Sequence, residues 1–420
     1  MYILNRSVKS LSFSDIVSFC KEGIPEGVQI DYKKEFPQKG FAKHFAALSN
    51  TRGGIIVIGV EEDKKSGLPS AWEGVVKDAK QIEKIHQEAG NVEPIPSYDV
   101  HMTDEVEGKH FVLIRVCEGD KTPYRPQNDS NVWVRTGSVS NPVDIASPDG
   151  LELLFGKKEK AEKVRNLYLK RAEDVYMAAL EREEKKRLGL IEEAKKSGKE
   201  DPGYAKEPLG SNALICRIAI QPYFPREGLQ SPQEIKTSLD MMRFRTGHLS
   251  FPSLNMEAIP EGLLSFSHDF SGYFQSEQIY SQGLVFEHFD ALDVQQDGKR
   301  VVHLWRVIGR FLAIVLFAKK FYEKSGYQGN LEGFVSLEDM KDVFVVQLKP
   351  PNRIFFDGDR KSFIGSYYWR LDMDTDTLQS PERFKTYLFT LIREMYWHFG
   401  YEEVSDPVIE DYLKEAGLSL

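Results

Sequence analysis

The stretch SNTRGGIIVIGV, residues 49–60, joins a turn to the start of an apolar run. Ser, Asn, Thr and two glycines are typical of turns. The run 55–60 is short and rich in β-branched residues, which predicts a strand buried on both faces. Just before it, FAKHFAAL at 41–48 spaces its apolar residues at i, i+4 and i+7, as one face of a helix does. These residues predict a helix-to-strand corner inside an α/β domain.

The two glycines of this corner, Gly53 and Gly54, have two explanations. A tight corner needs backbone that tolerates positive φ or close packing, and glycine provides both. Bare backbone also lets a phosphate group approach, and Arg52 could then reach that phosphate. The two explanations are compatible, and the sequence does not choose between them.

Further elements of the same domain follow along the chain. HFVLIRV at 110–116 and NVWVRTG at 131–137 predict strands, and a polar helix is predicted around 77–89. We therefore expect an α/β domain over residues 1–156.

Residues 157–200 predict a long charged helix, because they are rich in helix-forming residues and contain no proline. Val164, Tyr168, Val175 and Ala179 follow a 4-7-4 spacing within it. One interpretation is a connector helix with a single buried stripe. The other is a coiled coil that pairs two copies of the chain.

A second domain of mixed α+β class is predicted over residues 205–420. It follows a Gly- and Pro-bearing linker at 197–211, and ALICRIAIQPYF at 213–224 predicts a strand that ends at a proline. The apolar and aromatic stretches 300–323 and 383–399 predict buried helices. We expect this domain to act as a sensor or in oligomerisation.

Composition limits the kinds of function that fit. The chain has 420 residues, 41% of them hydrophobic and 28% charged, and a net charge of −9. No apolar run approaches the roughly 20 residues of a membrane-spanning helix, and the N-terminus lacks the pattern of a secretory signal. Three widely spaced cysteines predict neither a disulfide framework nor a zinc site. We therefore expect a cytoplasmic protein in which any nucleic-acid site is a local patch, or one where metal ions offset acidic groups.

The chain lacks the common catalytic motifs, including the phosphate-binding loop and the dinucleotide-binding fingerprint, so no nucleotide cofactor is expected. Acidic residues remain, in EGVQIDYKKEF at 26–36 and GVEED at 59–63. If VQIDYKK is a strand, Asp31 and Lys33 share one of its faces. Glu62 comes just after the apolar strand and could meet them at one end of the sheet.

Three carboxylates at one sheet end suit a hard cation such as Mg²⁺ or Mn²⁺. Such an ion could activate water and stabilise charge on a phosphoryl group, and Lys33 could hold the phosphate. Glu26, Asp31 and Glu62 are the predicted ligands. Surface acids after a strand are also common, so the pattern alone leaves both readings open.

Residues 12–155 resemble the Schlafen-type AlbA-like domain, a nucleic-acid-binding domain of bacterial proteins and of animal Schlafen proteins. EGVQIDYKKEF resembles its acidic-x4-acidic-aromatic-Lys opening. FAALSNTRGGIIVIGVEED resembles its A-F-A-N-T-x-G-G-x-hydrophobic-I-G-V-D-D centre. SNVWVRTGSVSNPV resembles its closing Y-hydrophobic-R-x-G-S-S segment. The resemblance covers about a third of the chain and none of residues 205–420.

The resemblance implies a metal-dependent endoribonuclease that cuts tRNA or rRNA with three carboxylates, which fall on Glu26, Asp31 and Glu62, with Lys33 assisting. Asp31 replaces a glutamate of the family pattern and Glu62 replaces an aspartate. Each change moves the carboxylate oxygens by one methylene. A metal site therefore requires the backbone to compensate.

Several basic and turn residues are candidates for contact with phosphate. Lys39 and His44 could extend a basic strip along the first helix. The candidate nucleic-acid-binding residues are Lys34, Lys43, Arg52, Arg125, Arg135 and Ser138.

Three functional hypotheses follow. The first is a metal-dependent nuclease acting on RNA or DNA, with a role in bacterial antiviral or stress defence implied by the family. The second is a nucleic-acid-binding regulator without cleavage. In the third, the C-terminal domain senses a ligand or partner and controls the N-terminal site. Animal members pair two such domains, so a homodimer is expected here.

Overall fold

The structure is a computed structural model. It describes residues 3–37, 39–78, 80–143, 148–198, 208–211, 213–226, 228–245, 250–269, 273–294, 298–346, 360–401 and 404–415. The chain divides into two compact units. The first is Met1–Lys163 with Glu323–Asn330, and the second is Val164–Tyr322 with Leu331–Leu420.

The first unit combines short helices with many short strands, which agrees with the predicted α/β class. Its α-helices are α1 (Phe13–Lys21), α2 (Ala42–Asn50) and α3 (Gln81–Gly90), and two 3-10 turns lie at Ile3–Asn5 and Val8–Ser10. Its strands are β1 (Ile30–Lys33), β2 (Gly54–Ile58), β3 (Glu61–Glu62), β4 (Pro69–Ala71), β5 (Val75–Val76), β6 (Val92–Glu93), β7 (Tyr98–Met102), β8 (Lys109–His110), β9 (Val112–Val116), β10 (Arg125–Pro126), β11 (Val132–Thr136) and β12 (Val139–Val143).

A four-stranded sheet in the order β1-β2-β9-β7 forms the centre of this unit. β1 and β2 run parallel, whereas β9 is antiparallel to both of its neighbours. Helix α1 packs on one face of the sheet through Phe19, against Tyr32 and Val57. Helix α2 packs on the other face through Phe45, against Ile56. The all-apolar strand predicted from 55–60 is therefore covered on both faces, as expected.

The glycine pair is explained by close packing of backbone. A Cβ atom on Gly53 would lie 2.7 Å from the Glu118 nitrogen, and one on Gly54 would lie 2.4 Å from the Gln29 carbonyl oxygen. Gly53 also has φ of +64°, in the left-handed region. The tight-corner explanation therefore accounts for both glycines.

Helix α4 (Pro148–Lys196) is 49 residues long and confirms the predicted long helix, although it begins earlier than residue 157. The boundary between the two units falls within it, after Lys163. Within the second unit, its Ala172 packs against Ala219 and Phe286. Tyr168 of the predicted stripe packs against the same cluster, so this part of the stripe is covered by its own chain.

The second unit has a seven-stranded sheet as its core. Its helices are α5 (Pro232–Met242), α6 (Leu304–Ser325), α7 (Thr375–Gln379), α8 (Pro381–His398) and α9 (Asp406–Glu415). Its strands are β13 (Ile215–Pro222), β14 (Phe244–Arg245), β15 (Ser250–Phe251), β16 (Glu257–Ile259), β17 (Gly262–His268), β18 (Phe274–Tyr280), β19 (Val285–Asp290), β20 (Leu292–Val294), β21 (Arg300–His303), β22 (Asn330–Glu338), β23 (Phe344–Val346) and β24 (Ser366–Asp374). The sheet order is β16-β17-β18-β19-β13-β22-β24.

The predicted elements of this unit are largely confirmed. The strand at 213–224 is β13, and it ends at Pro222 as expected. The helix predicted over 383–399 is α8. The helix predicted over 300–323 begins only at Leu304, because residues 300–303 form β21 and pair with β20 and β23.

Two further observations bear on the sequence predictions. Cys20, Cys117 and Cys216 are all free and buried. In the part of the chain that the structure describes, none of the helices combines the length and apolar character needed to cross a lipid bilayer.

Candidate nucleic-acid interface

The predicted acidic residues meet at the edge of the first unit's sheet, on the β1 side. Asp31 and Lys33 lie on β1, and Glu62 lies on β3. Glu26 precedes β1, and an oxygen of its carboxyl group accepts a hydrogen bond from the Tyr32 amide at 3.2 Å. The structure therefore brings together Glu26, Asp31, Glu62 and Lys33, which we name the acidic cluster.

Asp31 is the innermost member of the acidic cluster, with 0% of its surface exposed. Lys33 pairs with its Oδ1 atom. His44 Nδ1 lies 2.7 Å from Oδ2, and Arg135 Nη1 lies 3.2 Å from the same oxygen. Burial alone would raise the pKa of Asp31, but contacts with His44 and Glu26 and the charges of His44 and Lys33 lower it overall. Asp31 is therefore a buried carboxylate held by cations of the chain itself.

Glu26 has the opposite protonation behaviour. Its side chain is 6% exposed. Burial raises the pKa of Glu26 to about 9, together with hydrogen-bonding contact to Asp31 and Glu62 and the negative charge of Asp31. At neutral pH the carboxyl group of Glu26 therefore carries a proton, which relieves the repulsion among the three acidic side chains.

Arg135 lies inside the protein, although the sequence places it beside a turn. Its guanidinium donates to the carbonyl oxygen of Gly27 at 2.8 Å and to that of Ile30 at 3.2 Å. It also donates to the carbonyl oxygen of Ser138 at 3.3 Å. Because these bonds and Asp31 surround a fully buried side chain, Arg135 shapes the site from within and does not offer a surface contact to phosphate.

The acidic cluster does not fit a divalent cation in the arrangement that the structure gives it. Both oxygens of Asp31 already contact cationic side chains, Lys33 at one oxygen and Arg135 at the other. Among the residues that the structure describes, no group of three or more histidine, cysteine or acidic side chains is placed to hold a metal ion. The oxygens of Asp31 that a metal ion would need as ligands are already paired with cationic side chains of the chain itself.

Two of the remaining candidate residues pair with glutamates, and two are exposed in turns. Lys34 pairs with Glu61 at 2.9 Å, and Arg125 pairs with Glu93 at 3.1 Å. Arg52 is exposed in the corner after α2, and Ser138 is exposed in the turn between β11 and β12.

Lys43 has a partner that the sequence analysis did not single out. Its ammonium group lies 5.4 Å from the centre of the Trp133 ring, which is half-buried. The Trp133 indole N–H donates to Asp129 at 2.8 Å and so fixes the ring. A cation beside an indole ring provides charge for phosphate and a flat surface for a base. We name Lys43 and Trp133 the Lys–Trp pair.

His44 and Trp133, like Arg135, have positions that the sequence did not predict. His44 faces inward to Asp31 and does not extend the basic strip. The sequence held one indication of the position of His44. Lys43 and His44 are neighbours on a helix, so their side chains must point in different directions. Trp133 comes from β11, far along the chain, and only the fold brings it to α2.

Comparisons with known proteins agree with the N-terminal assignment. Residues 26–144 match the sequence model of the family described as Schlafen, AlbA_2. A search of curated proteins found no match. Among solved structures, the DIP2311 protein of Corynebacterium diphtheriae matches at 19% identity with a TM-score of 0.22, over 31% of this chain and 26% of that one. By the family match, residues 26–144 form a Schlafen AlbA_2 domain.

Proposed function

We propose that the N-terminal domain binds single-stranded nucleic acid through the Lys–Trp pair, with the acidic cluster serving as internal support. The family of the domain indicates a function related to nucleic acid. The observation that carries the proposal is Lys43 held 5.4 Å from the Trp133 ring, because base stacking on an aromatic ring requires unpaired bases. Arg52 and Ser138 are candidates for additional contacts with the phosphate backbone.

A binding assay with matched variants tests this proposal. Fluorescence anisotropy would compare labelled single-stranded RNA, single-stranded DNA and duplex over a range of salt concentrations. Trp133→Leu should weaken binding of single strands by a factor of about ten, the loss of one stacked base. Lys43→Ala should reduce the slope of log affinity against log salt by about 0.7, as expected for one lost phosphate contact.

Lys21→Ala is the control for the charge change. Lys21 is exposed on α1, which covers the opposite face of the sheet from α2. This variant should bind as the wild type does. Equal affinity of wild type, Trp133→Leu and Lys43→Ala for every nucleic acid would refute the proposal.

A second candidate function is phosphodiester cleavage with Mg²⁺ or Mn²⁺, and one observation favours it. Glu26 contacts both Asp31 and Glu62, and this contact contributes to its raised pKa of about 9. A metal would have to displace both the proton of Glu26 and the cations at Asp31. Cleavage of tRNA that requires Mn²⁺ and is lost in Glu26→Ala would establish this candidate. Unchanged thermal unfolding of the wild type with Mn²⁺, and no cleavage, would exclude it.

The second unit and the assembly of the chain remain proposals of a different kind. A sensor role for this unit rests on its size and its separateness from the first unit. A homodimer and a role in antiviral defence rest on analogy with the family. Light scattering at micromolar concentration tests the homodimer, since a monomer mass would exclude it.

A further inference from the structure

A pocket of about 510 Å³ opens beside the acidic cluster. Lys34 and Glu61 line one part of it, next in sequence to Lys33 and Glu62 of the cluster. Phe36 also lines the pocket and contacts Phe41, the residue before α2, with the ring centres 4.8 Å apart. The pocket therefore borders the N-terminal end of the helix that carries Lys43. Its volume lies within the range of small-molecule sites in proteins.

The charged groups of the pocket favour a neutral ligand with hydrogen-bond donors. Lys34 pairs with Glu61 at 2.9 Å, and Lys109 pairs with Glu73 at 2.8 Å. Glu35 adds a third carboxylate to the lining, so acidic groups outnumber lysines. A phosphate group would be repelled here, whereas N–H donors would find carboxylate oxygens to accept them.

The other part of the lining is apolar and suits a flat ring. Phe36 and Val75 are half-buried, and Val76 is 68% exposed although it is apolar. A planar aromatic ligand could cover these side chains while its edge faces the carboxylates. Nucleobases have both a flat apolar face and a polar edge.

We propose that this pocket binds one nucleobase that carries an exocyclic amino group. The inference rests on the proposed function, because the base would belong to the strand that the domain binds. The carboxylates accept hydrogen bonds from the amino group of cytosine, whereas they repel the carbonyl oxygen that uracil has in its place. The two lysines of the pocket are each paired with a glutamate and so compete poorly for that carbonyl oxygen. The domain should therefore prefer strands that place cytosine in the pocket over strands that place uracil there.

The test compares cytidine and uridine oligonucleotides of equal length, in EDTA, with the full-length chain. The two bases have the same ring size, so differences in stacking are small. The wild type should bind the cytidine strand about fivefold more tightly, the value of one net hydrogen bond. The double variant Glu61→Gln/Glu73→Gln replaces two carboxylates with neutral amides. Their NH2 groups can donate to the uracil carbonyl, and Lys34 and Lys109 lose their ion pairs and can do the same, so the variant should abolish that preference.

The control is Glu93→Gln/Glu152→Gln, because these exposed glutamates also pair with cations of the first unit but lie outside the pocket. It should keep the preference. If the first double variant does not fold, Val76→Trp fills the pocket by bulk and should reduce the preference. Its control is Ile95→Trp, at a position that is likewise 68% exposed.

The outcomes separate this inference from the proposed function. Equal binding of both strands by the wild type would overturn the pocket assignment and leave the nucleic-acid function standing. A preference that survives in Glu61→Gln/Glu73→Gln would also overturn it. Absence of binding to any oligonucleotide would overturn the proposed function, and the pocket assignment with it.

Discussion

Replacement of Glu26 by Gln should make the first unit less sensitive to pH. Glutamine keeps the size and the acceptor oxygen that the Tyr32 amide uses, but it cannot ionise. The wild-type carboxyl group has its pKa raised from 4.5 to about 9, because it is buried against Asp31 and Glu62. The variant therefore isolates the free energy that this proton contributes to folding.

The sign and size of the effect follow from proton linkage. Between pH 4.5 and about 9 the folded protein holds a proton on Glu26 that the unfolded chain has released. The stability due to this group is therefore complete below pH 4.5 and is lost as pH rises toward 9. The free energy of unfolding should fall by about 1.4 kcal/mol per pH unit, or about 3 kcal/mol from pH 6 to pH 8. Glu26→Gln should lack this decline.

Hydrogen exchange of the β2 amides, read by mass spectrometry, measures the opening of this unit separately from the second. Comparison of variant and wild type at each pH cancels the intrinsic pH dependence of exchange. The opening free energy of Glu26→Gln minus that of the wild type should increase by about 3 kcal/mol from pH 6 to pH 8, because only the wild type loses stability over this range. For Glu61→Gln, a residue outside the cluster, the same difference should not change with pH. If the difference for Glu26→Gln does not change with pH either, the assigned protonation of Glu26 is refuted.

Two further substitutions test the interior of the same unit. Arg135→Met removes the donors to Gly27 and Ile30 and takes one positive charge away from the buried Asp31. It should lower the opening free energy of the first unit by about 3–5 kcal/mol in the same exchange measurement. A decrease below about 1 kcal/mol would show that these contacts of Arg135 are dispensable. Gly54→Ala should cost on the order of 3 kcal/mol because its Cβ would clash with backbone. The matched change is Gly137→Ala, where the added Cβ would meet open space and only the φ of +66° is unfavourable. It should lower the free energy of unfolding by about 1–2 kcal/mol, measured by thermal unfolding. Equal losses for Gly54→Ala and Gly137→Ala would contradict the packing explanation for Gly54.

The pattern of the sequence predicted the main elements because local periodicity controls them. The apolar run 55–60 is covered by helices on both faces, and Ile30 and Tyr32 face away from Asp31 as strand alternation requires. Helix α1 was not predicted. The extent of α4 and the start of α6 differ from the predicted bounds, since helix ends depend on neighbouring contacts as well as on propensity.

The sequence by itself determined the α/β class and the buried corner at Gly53 and Gly54, because local periodicity and turn-forming residues encode both. It could not determine which charges pair. Only the tertiary structure decided that Arg135 turns inward to Asp31. It likewise decided that Trp133 lies against Lys43, because both contacts join residues about 90 or more positions apart. Ion pairing and ring contacts depend on distances in space, and no local pattern encodes those distances.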